Sequence, residues 1–147
     1  MIQHPAKAFS ITTDYEAMDM LAVHDFLANH AYWSPGVAFD TICTAWRNSL
    51  AFGLLNADGE QVGGARMVTD RATYGYLADV YLLDAYRGQG LGLWMVQTVM
   101  AHPELQSVRR FLLATSDMHA LYEKCGFTAL SSPGKLMEKL SRDAFKL

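Results

Sequence analysis

Three glycines set two apart, Gly88-Gln89-Gly90-Leu91-Gly92, follow Arg87 and stand between two apolar runs, Leu77 to Leu83 and Leu91 to Met100. The first run reads as a buried strand. The second reads as an apolar helix that stops near His102-Pro103. A strand, a glycine-rich turn and a helix in that order make an anion site. The first amides of the helix lack intrahelical partners and point at the turn, and the helix dipole places roughly half a positive charge there. Glycine lets the backbone approach a phosphate with no side chain in the way. The spacing excludes two common phosphate loops. No Gly-Lys-Ser/Thr follows, as a Walker loop requires, and the register is not the G-x-G-x-x-G of dinucleotide sites. Taken alone, the stretch also fits a tight turn joining a buried strand to a buried helix.

The elements that must hold this stretch can be read in order. Residues 1 to 7 are expected to form a short tail, and Ala8 to Thr13 alternates as a first strand. Thr13 with Glu16 fits a capping box, with Asp14 as the alternative cap. The helix expected from there ends near Asn29-His30 and carries Met18, Leu21, Ala22, Phe26 and Leu27 at helical spacing. Ala31 to Gly36 is a loop with adjacent aromatics, Tyr32 and Trp33. Either they cover the core edge between two helices, or they line a pocket for an acceptor. A weaker helix, Phe39 to Arg47, would put Phe39, Ile42, Cys43 and Trp46 on one face. Ser49 to Leu55 and Gln61 to Thr69 are strands joined by hairpin chemistry at Asp58-Gly59. Gly63 and Gly64 imply a bulge or a close contact. A turn at Asp70-Arg71-Ala72 leads into Thr73 to Leu82, the third antiparallel strand, and so into the glycine turn.

Beyond Pro103, Val108 to Thr115 reads as a buried strand, so that strand, helix and strand predict a right-handed parallel crossover. Ser116 or Asp117 would cap a short helix, Met118 to Lys124, which Gly126 ends. Two short segments follow, Phe127 to Leu130 and Lys135 to Leu140, joined by Ser131-Ser132-Pro133-Gly134. The tail from Ser141 to Leu147 is expected to fray.

Composition narrows the function. The chain has 147 residues, 51% of them apolar, which predicts a single domain over 1–147 with a real core. The formal charge is −3, and no charged block exceeds Arg109-Arg110, which argues against nucleic-acid binding through a basic patch. No apolar run approaches the ~20 residues that span a membrane, and Met1-Ile2-Gln3-His4-Pro5 lacks a signal pattern. The two cysteines, Cys43 and Cys125, and the five histidines show no metal-site spacing. No metal is expected, and the expected setting is a reducing cytoplasm with free thiols.

A second motif lies about thirty residues after the glycine turn, with one strand between: Leu121-Tyr122-Glu123-Lys124-Cys125-Gly126-Phe127. Together with Arg87-x-x-Gly90-x-Gly92 it resembles the GNAT superfamily of N-acetyltransferases, and specifically small bacterial members of unassigned substrate. The resemblance covers residues 50 to 127 well, and the order of elements extends it over most of the chain. It implies an α/β (α+β) fold with a mixed, mostly antiparallel sheet of about six to seven strands flanked by helices. It also implies a parallel strand pair that splays at the cofactor site. Acetyl-CoA would be the co-substrate. Backbone groups at Leu82 would pair with the pantetheine arm, and amides from Arg87 through Gly88, Gln89, Gly90 and Leu91 to Gly92 would hold the pyrophosphate.

The resemblance further implies that Tyr122 is a general acid, since a phenol near pKa ~10 can protonate a departing thiolate whose thiol lies near ~8.5. The alternative is a tyrosine that packs its ring on the sheet. For a general base the candidates are Asp79, otherwise paired with Arg66, and His119, three residues before Tyr122 and otherwise an exposed helical histidine. Tyr32 and Trp33 are the candidate acceptor pocket. Thr115 stands where many relatives carry a cofactor-contacting asparagine, and Asp84 replaces a frequent proline. The expected reaction is direct attack of an amine on the thioester in a ternary complex, with a small-molecule amine preferred over a protein acceptor and a homodimer permitted. The competing expectations are an acyl-CoA sensor without chemistry and a transferase of a longer acyl group.

Overall fold

Six strands form one sheet in the computed structural model, which describes residues 1–141. They are β1 (Ile2–Gln3), β2 (Ser10–Thr12), β3 (Leu50–Leu55), β4 (Gln61–Thr69), β5 (Tyr74–Leu82) and β6 (Arg110–Leu112), lying in that order across the sheet. Every pair is antiparallel except β5 and β6, which run parallel. The helices are α1 (Met20–Asn29), α2 (Phe39–Arg47), α3 (Leu91–Met100) and α4 (His119–Glu123). This is the expected α/β architecture, and β4 and α3 have the bounds read from the sequence.

The sheet separates two apolar layers. On one face Val23, Phe26 and Leu27 of α1 and Ile42 and Trp46 of α2 pack on Ala51 and Tyr81. On the other, Leu91, Met95, Val96 and Val99 of α3, with Tyr122 of α4, pack on Phe52, Leu54, Ala65 and Leu77. The β3–β4 hairpin forms as its Asp-Gly pair dictates, with Gly59 at φ +80°. The Asn56 side chain accepts from the amides of Asp58 (3.0 Å) and Glu60 (2.9 Å). Gly64 is the close contact expected of the double glycine, because a Cβ there would lie 2.8 Å from Trp46 Cη2 and 2.9 Å from the Phe52 carbonyl.

Several elements differ from the reading, each for a local reason. The N-terminal tail is not free: β1 pairs with β2, Ile2 opposite Ile11. The first helix begins later. Asp14 caps only a 3-10 turn, Tyr15–Ala17, and Asp19 caps α1 by accepting from Ala22 N at 3.0 Å. That start rotates the buried face to Met20, Val23, Phe26 and Leu27 and leaves Leu21 exposed. Phe39, likewise, is exposed on α2, whose buried residues are Ile42 and Trp46. The strand expected over Val108 to Thr115 is only Arg110–Leu112, since it has a sheet neighbour on one side alone. The two short segments after the Gly126 helix end carry no regular structure beyond a 3-10 turn, Pro133–Lys135, which overlaps the start of the second. Within the expected tail, residues 142–147 lie outside the described residues.

Candidate active site

The parallel strands part where the anion loop begins. Tyr74, Gly75 and Tyr76 of β5 pair with Arg110, Phe111 and Leu112 of β6, and the pairing stops there. β5 continues to Leu82 while still paired with β4. From Leu77 to Leu82 its β6-facing edge is therefore left with unpaired backbone groups, a slot for an extended, amide-bearing ligand arm. The glycine loop opens at the end of this slot. Gly88 and Gly90 take φ +80° and +79°, a region that costs other L-residues, and Gly90 caps α3 without any side-chain hydrogen bond. A Cβ at Gly88, Gly90 or Gly92 would meet nothing within 4 Å, so the glycines are not forced by crowding within the protein. They leave the amides at the start of α3 open to an anion.

Two cations flank the loop. Arg87 Nε donates to the Leu82 carbonyl at 3.3 Å and lies 3.4 Å from Asp84 Oδ1, so Arg87 braces the end of the strand. Lys7, which no local pattern places here, donates from Nζ to the Gln89 carbonyl at 2.6 Å. It is brought there by the N-terminal segment, whose His4 ring lies 4.7 Å from that of Trp94 on α3. The β1–β2 pairing and this contact together hold that segment beside the loop.

The second motif is a helix end that fixes one side chain. Gly126 takes φ +92°, and the chain reverses so that the amide of Phe127 donates to the Tyr122 carbonyl at 3.1 Å and that of Gly126 to Glu123 at 3.1 Å. The reversal brings the Phe127 ring edge-on to Tyr122, centroids 6.1 Å apart. Tyr122 is 9% exposed, and burial, then the neighbouring Tyr32, Cys125 and Asp117, pushes its phenol up to about 12. Neither Ser116 nor Asp117 caps α4. The Thr115 hydroxyl accepts from Met118 N at 3.0 Å, so this departure from the resemblance serves the turn itself. Tyr122, His119 and Thr115 line a common cavity of about 730 Å³, and His119 is exposed.

Asp79 sits on a bulge. Gly64 pairs with Tyr81 and Arg66 with Ala78, so Asp79 and Val80 together oppose Ala65. Asp79 takes φ +54°, strained for a residue other than glycine, though Asp tolerates it better than most. The extra residue changes the alternation of β5, so that Leu77 and Tyr81 join opposite layers. The carboxylate points into the α1–α2 side. Its Oδ2 accepts from Arg66 Nε (2.6 Å) and Trp46 Nε1 (3.3 Å), and its Oδ1 from Trp33 Nε1 (3.0 Å). Trp33 is thereby tied to the sheet. Tyr32, 61% exposed, stands edge-on to it at 5.1 Å and accepts from Ser116 N at 3.1 Å with its hydroxyl. The Tyr32–Trp33 loop thus bridges β5 and the approach to α4. Among the described residues no cluster of three or more His, Cys, Asp or Glu could hold a metal, both cysteines are free, and no helix is long and apolar enough to cross a membrane.

A mostly antiparallel sheet with one splayed parallel pair, an anion loop at the split and a buried tyrosine after the next strand defines an acyl-CoA-dependent transferase. The family model for the acetyltransferase (GNAT) family matches residues 14–127, and the chain belongs to that family. A protein of Gibberella zeae is 34% identical over 137 aligned positions, covering 79% of this chain and 76% of its own. A crystal structure of a GNAT-family protein from Xanthomonas campestris pv. campestris superposes with a TM-score of 0.90 at 37% identity, covering 100% of both chains. Both are assigned provisionally as acetyltransferases. A Deinococcus radiodurans structure with a TM-score of 0.72, 17% identical and covering 97% of this chain and 94% of its own, shares the fold. The chain is an acetyltransferase of a family that uses acetyl-CoA and modifies small-molecule or protein acceptors.

Proposed function

We propose that the chain acetylates the amine of a small molecule by direct attack in a ternary complex, with Tyr122 as the general acid. The observation that carries this reading is the unpaired edge of β5 from Leu77 to Leu82, ending on a glycine loop that exposes helix amides. Acetyl-CoA supplies the activated acetyl thioester. The amides from Arg87 to Gly92 hold its pyrophosphate, and the backbone at Leu82 orients its pantetheine arm and polarises the carbonyl.

As the amine nitrogen bonds to the acetyl carbon and the carbon–sulfur bond breaks, the Tyr122 hydroxyl gives its proton to the departing sulfur. Its raised pKa keeps that proton in place at neutral pH. The same burial that weakens the phenol as an acid also raises the basicity of a desolvated thiolate, which offsets part of the phenol's loss of acid strength. Of the two candidate bases, Asp79 has three of its roughly four acceptor positions in use. We assign it to hold Trp33 and the acceptor loop, and His119, on the cavity with Tyr122, to take the amine proton.

Calorimetric titration with acetyl-CoA, desulfo-CoA and ATP tests the donor side. Tight acetyl-CoA binding with weak ATP binding is expected, followed by turnover of members of an amine library. Folded protein that binds no acyl-CoA would overturn the reading. Turnover of peptide lysines but no small amine would reassign the acceptor.

A further inference from the structure

We propose that the N-terminal segment, residues 4–9, is part of the cofactor site, and that His4 positions the Lys7 ammonium against the glycine loop for the phosphates of an acyl-CoA. This rests on the reading of that loop as the acyl-CoA site. The segment precedes the stretch that the family model matches, residues 14–127, so its contact is not part of that common pattern. Three contacts lay the segment along the loop, one on each element that builds it. The Phe9 ring stands edge-on to Tyr86, in the turn before the loop, at 5.9 Å. Lys7 Nζ donates to the Gln89 carbonyl, within the loop, at 2.6 Å. The His4 ring stands edge-on to Trp94, on the helix after the loop, at 4.7 Å.

His4 folds the segment between these points. Its ring Nδ1 accepts from the amides of Ala6 and Lys7, each at 3.0 Å, and its own amide donates to the Phe9 carbonyl at 2.9 Å. Asp70 closes its turn in the same way, its Oδ1 accepting from Ala72 N at 2.9 Å and Thr73 N at 2.7 Å. An imidazole in this role folds the turn and also reaches the indole of Trp94. With the backbone of Lys7 fixed, less entropy is lost in holding its long side chain on one acceptor.

The contact changes the charge that the loop presents. A carbonyl facing a bound phosphate repels it. The Gln89–Gly90 peptide is trans, so with its carbonyl on Lys7 its N–H, at Gly90, points the opposite way. Lys7 therefore covers the negative end of a loop peptide and leaves the positive end uncovered. The ammonium has three N–H groups, and this carbonyl takes one. Among the described residues Lys7 forms no ion pair, so no carboxylate cancels its charge. That charge adds to the roughly half positive charge at the start of α3.

The test is a double-mutant cycle read by calorimetry at low ionic strength. Acetyl-CoA is titrated into the wild-type chain, His4→Ala, Lys7→Ala, the double variant and His4→Asn, each checked for folding by circular dichroism. Each alanine variant should weaken acetyl-CoA binding a few-fold. The double variant should be no weaker than Lys7→Ala, because His4 acts through Lys7. His4→Asn should bind close to wild type, since its side-chain carbonyl can take both amides as Asp70 does. Titration with acetyl-dephospho-CoA assigns the phosphate. An equal loss with both ligands places the charge at the pyrophosphate, and a loss confined to acetyl-CoA places it at the 3′-phosphate. Wild-type affinity in His4→Ala or in Lys7→Ala overturns the proposal, as do losses that add in the double variant. A wild-type chain that binds no acyl-CoA overturns the reading of the loop as well, whereas tight wild-type binding with unaffected variants overturns the role of His4 and Lys7 alone.

Discussion

The donor and acceptor sides proposed for the candidate site are built from different materials. The donor side is backbone: an unpaired strand edge, positive-φ glycines and uncapped amides, all within residues 77 to 92. The acceptor side is side chains from four separated segments, in which Trp33, Trp46 and Arg66 converge on one carboxylate, Asp79. Backbone geometry needs particular residues, chiefly glycine, at fixed neighbouring positions. Side-chain convergence needs only that distant positions meet, and many sequences achieve it. One side is therefore written as a contiguous motif and the other is not. The same contrast implies that the donor side is generic to the chemistry and the acceptor side particular to this chain.

The largest effect expected from separating the two sides is at Tyr122. Tyr122→Phe should lower kcat by about 10²–10⁴-fold and leave the acetyl-CoA dissociation constant nearly unchanged, because the ring still packs on Phe127. Steady-state kinetics beside calorimetry reads both. An equal loss in kcat and in cofactor affinity would assign Tyr122 to the donor side instead. The pH dependence follows with a definite sign. The folded pKa of about 12 lies above the free value of 10, so Tyr122 favours the folded state below pH 10, and that contribution is lost as pH rises through 12. Wild-type protein should lose stability faster than Tyr122→Phe in that alkaline window, measured by chemical denaturation.

Asp79→Ala should come next. It strands a largely buried guanidinium and removes the acceptor for two indoles, and should cost about 3 kcal/mol by denaturant unfolding. Freed from the sheet, Trp33 should let the acceptor KM rise with acetyl-CoA affinity unmoved. If Asp79→Ala folds with wild-type stability, the acceptor side is not organised as described. Gly90→Ala is smaller and falls on the other side. The left-handed backbone costs an added side chain about 1–2 kcal/mol, which with a methyl group beside the anion should weaken acetyl-CoA binding by about tenfold. The acceptor KM should not change.

The glycine loop and the middle of the fold are legible in the sequence, since β4, α3, the Asp58-Gly59 hairpin and the Gly126 helix end all depend on local chemistry. Gly126 matters because only a left-handed residue lets Phe127 turn back onto Tyr122. The Arg66–Asp79 pair was legible as an alternative for Asp79, but the two indoles were not, because Trp33 and Trp46 lie more than thirty residues from their acceptor. The bulge that aims Asp79 is signalled only indirectly, by the glycines that precede Ala65, the residue opposite it on β4. The start of α1 was misread because Asp14 and Asp19 are both competent caps, and Asp14 caps the shorter turn. The reading of Val108 to Thr115 as a strand overruns β6 at both ends. Strand formation depends on a partner edge, which no local pattern reports.

Lys7 gives the smallest and most specific test of the contrast. It lies eighty-two positions from the carbonyl it binds, so it is a distant side-chain contribution to the side made chiefly of backbone. It is exposed, and an exposed cation near a bound pyrophosphate contributes under about 1 kcal/mol. Screening by salt should erase that contribution. Lys7→Ala should therefore weaken acetyl-CoA binding a few-fold at low ionic strength and hardly at all at high ionic strength, with kcat and the acceptor KM unchanged. Lys7→Arg should restore most of the loss, since the charge is kept. A loss that persists at high salt would mean that Lys7 acts through the Gln89 carbonyl, holding the loop in shape. In that case amide exchange at Gly88 to Gly92 should quicken in Lys7→Ala without any ligand present, and the donor side would depend on a distant side chain for its geometry as the acceptor side does.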